Sequence, residues 1–207
     1  MRIPKSAFLG VALLAGITTS AVAQDRSWQN KWYWGTQGGI QAFTLGSGRV
    51  AATAGGHWLI TAGRSALYLG FDRQFMQTLT QTIRTGQTTT FRRGQRFQAV
   101  VYAVPNDNKL QMMLGGGFAI SRITDAQLAG VLTSALDSRQ LDDAATKAFL
   151  VLSGGLQYRA GLRFAIFGQY HYMPGTNDYV IRSAQHSFNI GIRYAVTHSE
   201  EVVTTER

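Results

Sequence analysis

Residues 188–194 read Phe188-Asn189-Ile190-Gly191-Ile192-Arg193-Tyr194. In an extended chain successive side chains point to opposite faces, so Phe188, Ile190, Ile192 and Tyr194 share one face. Asn189, Gly191 and Arg193 share the other. A period of two with one apolar face marks a half-buried strand. The second face decides the fold, because it is small or polar at every step. Such a face suits a narrow packed interior, and the large apolar face then suits lipid.

The same reading extends backwards. Phe164, Ile166, Gly168, Tyr170 and Tyr172 alternate with Arg163, Ala165, Phe167, Gln169 and His171. Leu150, Leu152, Gly154, Leu156 and Tyr158 alternate with Val151, Ser153, Gly155 and Gln157. Leu110 to Ser121 places Leu110, Met112, Leu114, Gly116, Phe118 and Ile120 on one face. The first half offers four more segments: 32–44 with Gln37, Gly39 and Gln41 on one face, 50–60, 65–76 with Leu67, Leu69 and Phe71 outward, and one marked by Phe97, Ala99, Val101 and Ala103. Each is about 10–13 residues long, the length with which a tilted strand crosses the hydrocarbon.

The connections alternate in length. Segments 61–64, 105–109 and 159–161 are short and rich in turn residues, whereas 77–94, 122–146 and 174–183 are long. Segment 45–49 is a short exception on the long side. Outer-membrane barrels alternate in this way, with short periplasmic turns and long external loops. Trp32, Trp34, Trp58, Tyr158, Tyr172 and Tyr194 fall near strand ends, where interface girdles belong. The expected fold is therefore all-β: an eight-stranded antiparallel up-and-down transmembrane β-barrel spanning residues 24–196. Period two alone does not separate inside from outside, so a soluble lipocalin-like barrel is the structural rival. The glycine-rich, partly polar second face and the unequal loops favour the membrane version.

One stretch breaks the period of two. Between Asp125 and Lys147, Leu128, Val131, Leu132, Ala135 and Leu136 recur three and four apart, followed by Leu141. This predicts a helical external loop, with Thr124 or Asp125 as its cap and Asp142-Asp143 opening a second piece.

The ends set the compartment. Arg2 and Lys5 precede an apolar run from Ala7 to Ile17 and the small residues Ala21-Val22-Ala23, the pattern of a secretory signal over residues 1–23. Its apolar run is too short for a membrane helix, which needs about 20 residues. A polar tail over 197–207 is expected on the periplasmic side. Cysteine is absent, which excludes disulfides, thiolate zinc sites and thiol chemistry. The 207 residues carry a net charge of +9, of which Arg2 and Lys5 supply two. That basic balance points to an anionic partner. In an exported chain, phosphates of lipopolysaccharide are the natural candidate and nucleic acid is not. The mean hydropathy of −0.06 is too polar for a helical membrane protein and ordinary for a barrel.

The stretch Ser183 to Tyr194 (S-A-Q-H-S-F-N-I-G-I-R-Y) resembles the closing strand of the small outer-membrane barrel family that includes the OmpA membrane domain, OmpX and OmpW. Phe167 to Pro174 (F-G-Q-Y-H-Y-M-P) is similar to its penultimate strand. The resemblance implies insertion by the barrel assembly machinery and residence among outer-membrane lipid and lipopolysaccharide. The family often ends on an aromatic residue, whereas this chain continues to Arg207. Its tail is too short for a peptidoglycan-binding domain, so a cell-wall tether is not implied.

Candidate chemistry is sparse. His57 and His171 are placed in the lumen toward opposite ends, and no spacing resembles a zinc site. No cofactor is implied. Ser187 and His171 fall on adjacent strands, both inward, with Asp72 inward on a strand opposite. Some eight-stranded barrels are lipid A palmitoyltransferases or deacylases, whose nucleophile needs a base and an orienting third group. Their motifs are missing here. Asp72, Arg163, His171 and Arg193, with several glutamines, are expected instead to form a hydrogen-bonded lumen network, since charges in a narrow interior must be paired or wet. Arg84, Arg92 and Arg93 in the 77–94 loop, with Arg96 just beyond it, are expected to meet lipopolysaccharide phosphates, which arginine grips bidentately. The leading expectation is a non-enzymatic barrel with an envelope-structural or surface-interaction role. A small channel and a lipid A-modifying enzyme are the alternatives. The inward glycines Gly35, Gly39, Gly55, Gly115, Gly117, Gly155 and Gly191 fit either a wet pore or an interlocked interior.

Overall fold

A computed structural model of the chain describes residues 30–44, 50–82, 88–105, 108–128, 135–161 and 163–196. The expected leader and tail lie outside these residues. The elements run β1 (Trp32–Phe43), β2 (Val50–Ala62), β3 (Ser65–Thr82), β4 (Thr88–Ala103), β5 (Leu110–Ile123), β6 (Gln127–Leu128), α1 (Ala135–Ala145), β7 (Thr146–Arg159), β8 (Phe164–Met173) and β9 (Gln185–Ala195). The sheet order is β3-β2-β1-β9-β8-β7-β5-β4, and β3 pairs with β4 to close the ring. β6 pairs only with the outer end of β4, so eight strands form the barrel. Every pairing is antiparallel. The seam between β1 and β9 runs from Tyr33↔Ala195 to Phe43↔Gln185.

Burial alternates along the strands, as the period of two requires. The large apolar residues face out: Trp58 is 61% exposed, Phe118 67% and Ile190 58%. The polar ones face in: Asp72, Arg96, Gln111, Gln157, His171, Asn189 and Arg193 are fully or almost fully buried. A water-soluble protein does not expose a continuous apolar belt of this size. The arrangement is that of a barrel whose solvent is lipid, and it removes the soluble rival.

Closure explains how strands with polar inner faces are stable. Every interior strand edge is paired, so no backbone donors or acceptors are left facing hydrocarbon. β2 and β3 join through the two residues Gly63 and Arg64, with Gly63 at φ 55 in the first turn position. That position needs a residue tolerant of positive φ, and glycine accepts it without a Cβ clash. A row of large side chains crosses four strands near the short-turn end, from Phe164 through Tyr194 and Trp34 to Trp58. This row is the interface girdle expected from the tryptophans.

Two expectations about the long connections need correction. The 77–94 segment is not a loop throughout. After a bulge between Phe75 and Leu79, pairing resumes from Leu79↔Phe91 to Thr82↔Thr88. Its threonines are β-branched and favour the extended chain, so the hairpin continues beyond the ring. Among the described residues of this stretch, the helix runs over Ala135–Ala145. Gln127 and Leu128 pair with Thr90 and Thr89 instead. Asp125 caps no helix: its Oδ1 accepts the backbone N–H groups of Arg92 and Arg93 at 3.0 and 2.8 Å. Val131 and Leu132 lie outside the described residues.

Candidate functional site

The lumen holds two polar clusters and an apolar cap. The upper cluster is centred on Asp72 of β3 and Arg96 of β4, direct partners in the sheet. The Arg96 guanidinium stands 2.8 Å from Asp72 Oδ2. Arg96 also donates to Gln41 Oε1 at 3.2 Å and to Ser187 Oγ at 3.1 Å. Gln37 Nε2 donates to Asp72 Oδ1 at 2.6 Å, and Gln98 Nε2 to Oδ2 at 3.3 Å. Gln41 in turn donates to Gln185 and accepts from Gln74. Residues of β1, β3, β4 and β9 thus meet across the barrel. A buried ion pair repays its desolvation only when further hydrogen bonds satisfy both charges, and the glutamines supply them here.

The lower cluster is built on Arg193 of β9, which has no carboxylate partner among the described residues. Its Nε donates to His57 Nε2 at 2.8 Å, and its Nη1 donates to Gln157 Oε1 and, at 3.7 Å, to Met113 Sδ. Gln157 donates on to Gln111 at 3.1 Å. The guanidinium lies 3.8 Å from the centre of the Phe167 ring, and the His57 ring meets that ring edge-on at 4.9 Å. A planar, weakly hydrated cation can be held in this way by a ring face and neutral acceptors. Tyr68 links the two clusters. Its hydroxyl donates to Gln37 at 2.8 Å, while its ring stacks on His57 at 5.3 Å and tilts against His171 at 6.0 Å.

Toward the long-loop end lies an apolar layer. The connection from β8 to β9 folds back so that Tyr179, Val180 and Ile181 are buried against Phe149, Met173, Phe91 and Ile123. Tyr179 packs edge-on to Phe149 at 5.1 Å, and its hydroxyl pairs with Ser121 Oγ at 3.0 Å. Val180 N–H donates to the Ala144 carbonyl of α1 at 2.9 Å. This cap was not legible from the strand pattern, although Tyr179-Val180-Ile181 is an apolar triplet inside an otherwise polar connection.

Of the expected lumen network, Asp72, His171 and Arg193 lie in the lumen. Arg163 does not. It sits in the turn before β8 and donates to the outward Tyr194 hydroxyl at 3.2 Å. The strand begins one residue too late to carry it inside. Of the expected lipid contacts, Arg92 and Arg93 are exposed, and Arg84 lies outside the described residues. Arg96 corrects the expectation: it is wholly buried and faces Asp72. Counting back by one from the outward Phe97 already puts Arg96 inside. Treating it as part of a loop concealed this.

Ser187 and His171 are direct cross-strand partners, as their phases implied. They are not hydrogen-bonded to each other. The Ser187 hydroxyl accepts from Arg96, and neither ring nitrogen of His171 has a hydrogen-bond partner among the described residues. No base is oriented on the hydroxyl, which nucleophilic catalysis requires. Among the described residues no three metal-ligating side chains cluster.

Several inward glycines lie against neighbouring strands and side chains. A Cβ on Gly55 would meet the Phe71 carbonyl and Asp72 Oδ1, and one on Gly191 the Thr36 carbonyl and the Phe167 ring. Glycine lets neighbouring strands close in and lets Asp72 and Phe167 lie flat across the gap. Around Gly35, Gly55, Gly155 and Gly191 the side chains of His57, Asp72, Gln169 and Phe167 occupy the space a Cβ would need.

No protein-family model and no curated protein sequence matches the chain. Among solved structures it is similar to Neisserial surface protein A, with 12% identity, a TM-score of 0.57 and coverage of 80% of this chain and 97% of that one. It is also similar to the N-terminal β-barrel domain of Pseudomonas aeruginosa OprF, at 12% identity and TM-score 0.52 over 81% and 98% of the two chains. The Pseudomonas aeruginosa outer membrane protein OprG aligns at 10% identity and TM-score 0.50 over 83% and 98%. The chain thus has the fold of the small eight-stranded outer-membrane barrels.

Proposed function

We propose that the protein resides in the outer membrane as a closed, non-enzymatic barrel that acts through its outer surface and not through its lumen. Its role is structural in the envelope or one of surface interaction. The observation that carries this reading is the doubly blocked interior. The Asp72–Arg96 cluster joins β1, β3, β4 and β9 across the lumen, and Tyr179–Ile181 covers it from the long-loop end. An eight-stranded barrel is narrow enough for side chains to fill it. The fold shared with the outer-membrane barrels supports the location, and the unassembled Ser187–His171 pair supports a role without catalysis.

Planar-bilayer recording tests the reading. The reconstituted wild-type barrel is expected to show no discrete current steps. Regular steps that grow when the cap is removed by Tyr179→Ala and Ile181→Ala would establish the channel alternative. Lipid A mass spectra of cells with and without the protein are expected to match. A new acylation state would establish the enzyme alternative.

A further inference from the structure

We propose that the outward face of β3, β4 and β5 binds the phosphate of an outer-leaflet glycolipid between Arg73, Arg93 and Arg122. The register sets Arg73 beside Gln95 and Gln95 beside Arg122, and Arg93 follows two residues beyond Gln95 on the same face of β4. With strands about 4.8 Å apart and about 3.4 Å per residue, three guanidinium stems root within about 10 Å of one another. All three residues are exposed. Among the described residues none of their side chains has a hydrogen-bond or ion-pair partner.

Their surroundings select the ligand. Toward the short-turn end the same face carries Leu69, Phe71, Phe97, Phe118 and Ile120, the residues that meet acyl chains. The arginines begin where that belt ends on the long-loop side, the level of lipid headgroups. The basic patch is one-sided, because the matching ends of β2, β7 and β8 carry Val50, Thr146 and Tyr172. Charged side chains on a lipid-facing surface demand a partner, and the described residues provide none.

A cleft is built at the same place. A cleft of about 550 Å³ lined by Arg73, Phe75, Arg93, Gln95, Thr124 and Asp125 lies beside the bulge between Phe75 and Leu79, and Arg122 stands next to Gln95 at its edge. Asp125 is its one anionic wall. The Asp125 Oδ1 is engaged by the backbone N–H groups of Arg92 and Arg93, which fixes the backbone that carries Arg93. Guanidinium forks match phosphate oxygens bidentately. Phe75, half exposed beside Arg93, adds an apolar surface that an acyl chain can use and a free anion cannot. The site rests on the outer-membrane reading above.

The test is native mass spectrometry of the full folded barrel in detergent, with diphosphoryl lipid A, enzymatically dephosphorylated lipid A and inorganic phosphate as probes. Wild type is expected to retain diphosphoryl lipid A about tenfold better than the dephosphorylated lipid, and R73Q/R93Q/R122Q to lose that preference. R64Q, at the short-turn end, is expected to behave as wild type. Equal retention by the triple variant overturns the proposal, as does equal retention of the two lipids by wild type. Displacement of the lipid by millimolar inorganic phosphate would assign the cleft to a free anion and overturn the lipid assignment. All variants are first checked for the cold-SDS mobility shift of a closed barrel. Should R73Q/R93Q/R122Q fail it, single substitutions are compared in its place. A wild-type chain that does not insert into phosphatidylcholine vesicles would remove the membrane reading, a result distinct from an inserted barrel that ignores the phosphates.

Discussion

Asp72 and Arg96 face each other across one rung of the barrel, carboxylate and guanidinium 2.8 Å apart and both closed off from the exterior. Neither charge has a route to water except through its partner and the surrounding glutamines. Asp72→Asn leaves the Arg96 charge uncompensated and is expected to cost about 3–5 kcal/mol of barrel stability. Urea unfolding in phospholipid vesicles measures it. The double variant D72N/R96Q should lose less than the sum of the two single changes, because residues in one network couple by about 0.5–3 kcal/mol. Additive losses would mean that the two charges are held independently.

Gly55 separates close strand approach from simple glycine abundance. Gly55→Ala pushes a methyl group into the Phe71 carbonyl and the Asp72 carboxylate. Overpacking of this kind costs about 1–3 kcal/mol. Gly38→Ala is the comparison, since its Cβ would come only to 3.7 Å from the Thr53 carbonyl. The first variant is expected to lower the temperature at which the cold-SDS form is lost, and the second to leave it unchanged. Equal shifts would show that the inward glycines do not serve the ion pair.

The cap is expected to be sensitive to alkali. Burial pushes the Tyr179 phenol above its ordinary range, against smaller opposing effects of the Ser121 hydrogen bond and the Arg96 charge. A group whose folded value is raised contributes stability that is full below its ordinary value and is lost as pH climbs beyond it. Stability should therefore hold to about pH 10, the ordinary tyrosine value, and then decline. Unfolding midpoints of wild type and Y179F from about pH 8 to 11.5 decide this. Wild type should fall relative to Y179F in the upper part of that range. Parallel curves would place alkaline sensitivity outside the cap.

Trp34 and Trp58 are direct cross-strand neighbours on the outer face. Their place near the short-turn end puts them at one membrane interface. Lipids brominated near the headgroup should quench the fluorescence they contribute more than lipids brominated near the chain ends, as aromatic girdles imply. Comparison with W34F/W58F isolates their signal. Stronger quenching by the deep probe would shift the belt along the barrel.

Much of this was readable from alternation. The phases of β5, β7, β8 and β9 came directly from residues such as Phe188 and Asn189, because a strand offers a side chain only two directions. His171 and Arg193 were placed inside on that ground alone. Arg163 went astray at a strand end, where one residue more or less of pairing decides whether a phase applies, and Arg96 because β4 begins at Thr88, well before the expected loop ends. The helical period does not hold at Leu128, which found a β partner in Thr89, and the described helix is Ala135–Ala145.

Local periodicity thus settled the class of fold and which residues share a face, because it depends only on the geometry of a single strand, whereas which face turns outward took the polarity of the second face and the closed ring. The partners across the lumen were decided by closure. Asp72 meets Gln37 of β1, and Arg96 of β4 meets Ser187 of β9, at a register and distance set by all eight strands together. The seal over the barrel mouth is likewise tertiary. Nothing in the Tyr179–Ile181 triplet specifies burial until the ring beneath it presents an apolar floor of Phe149, Met173 and Ile123.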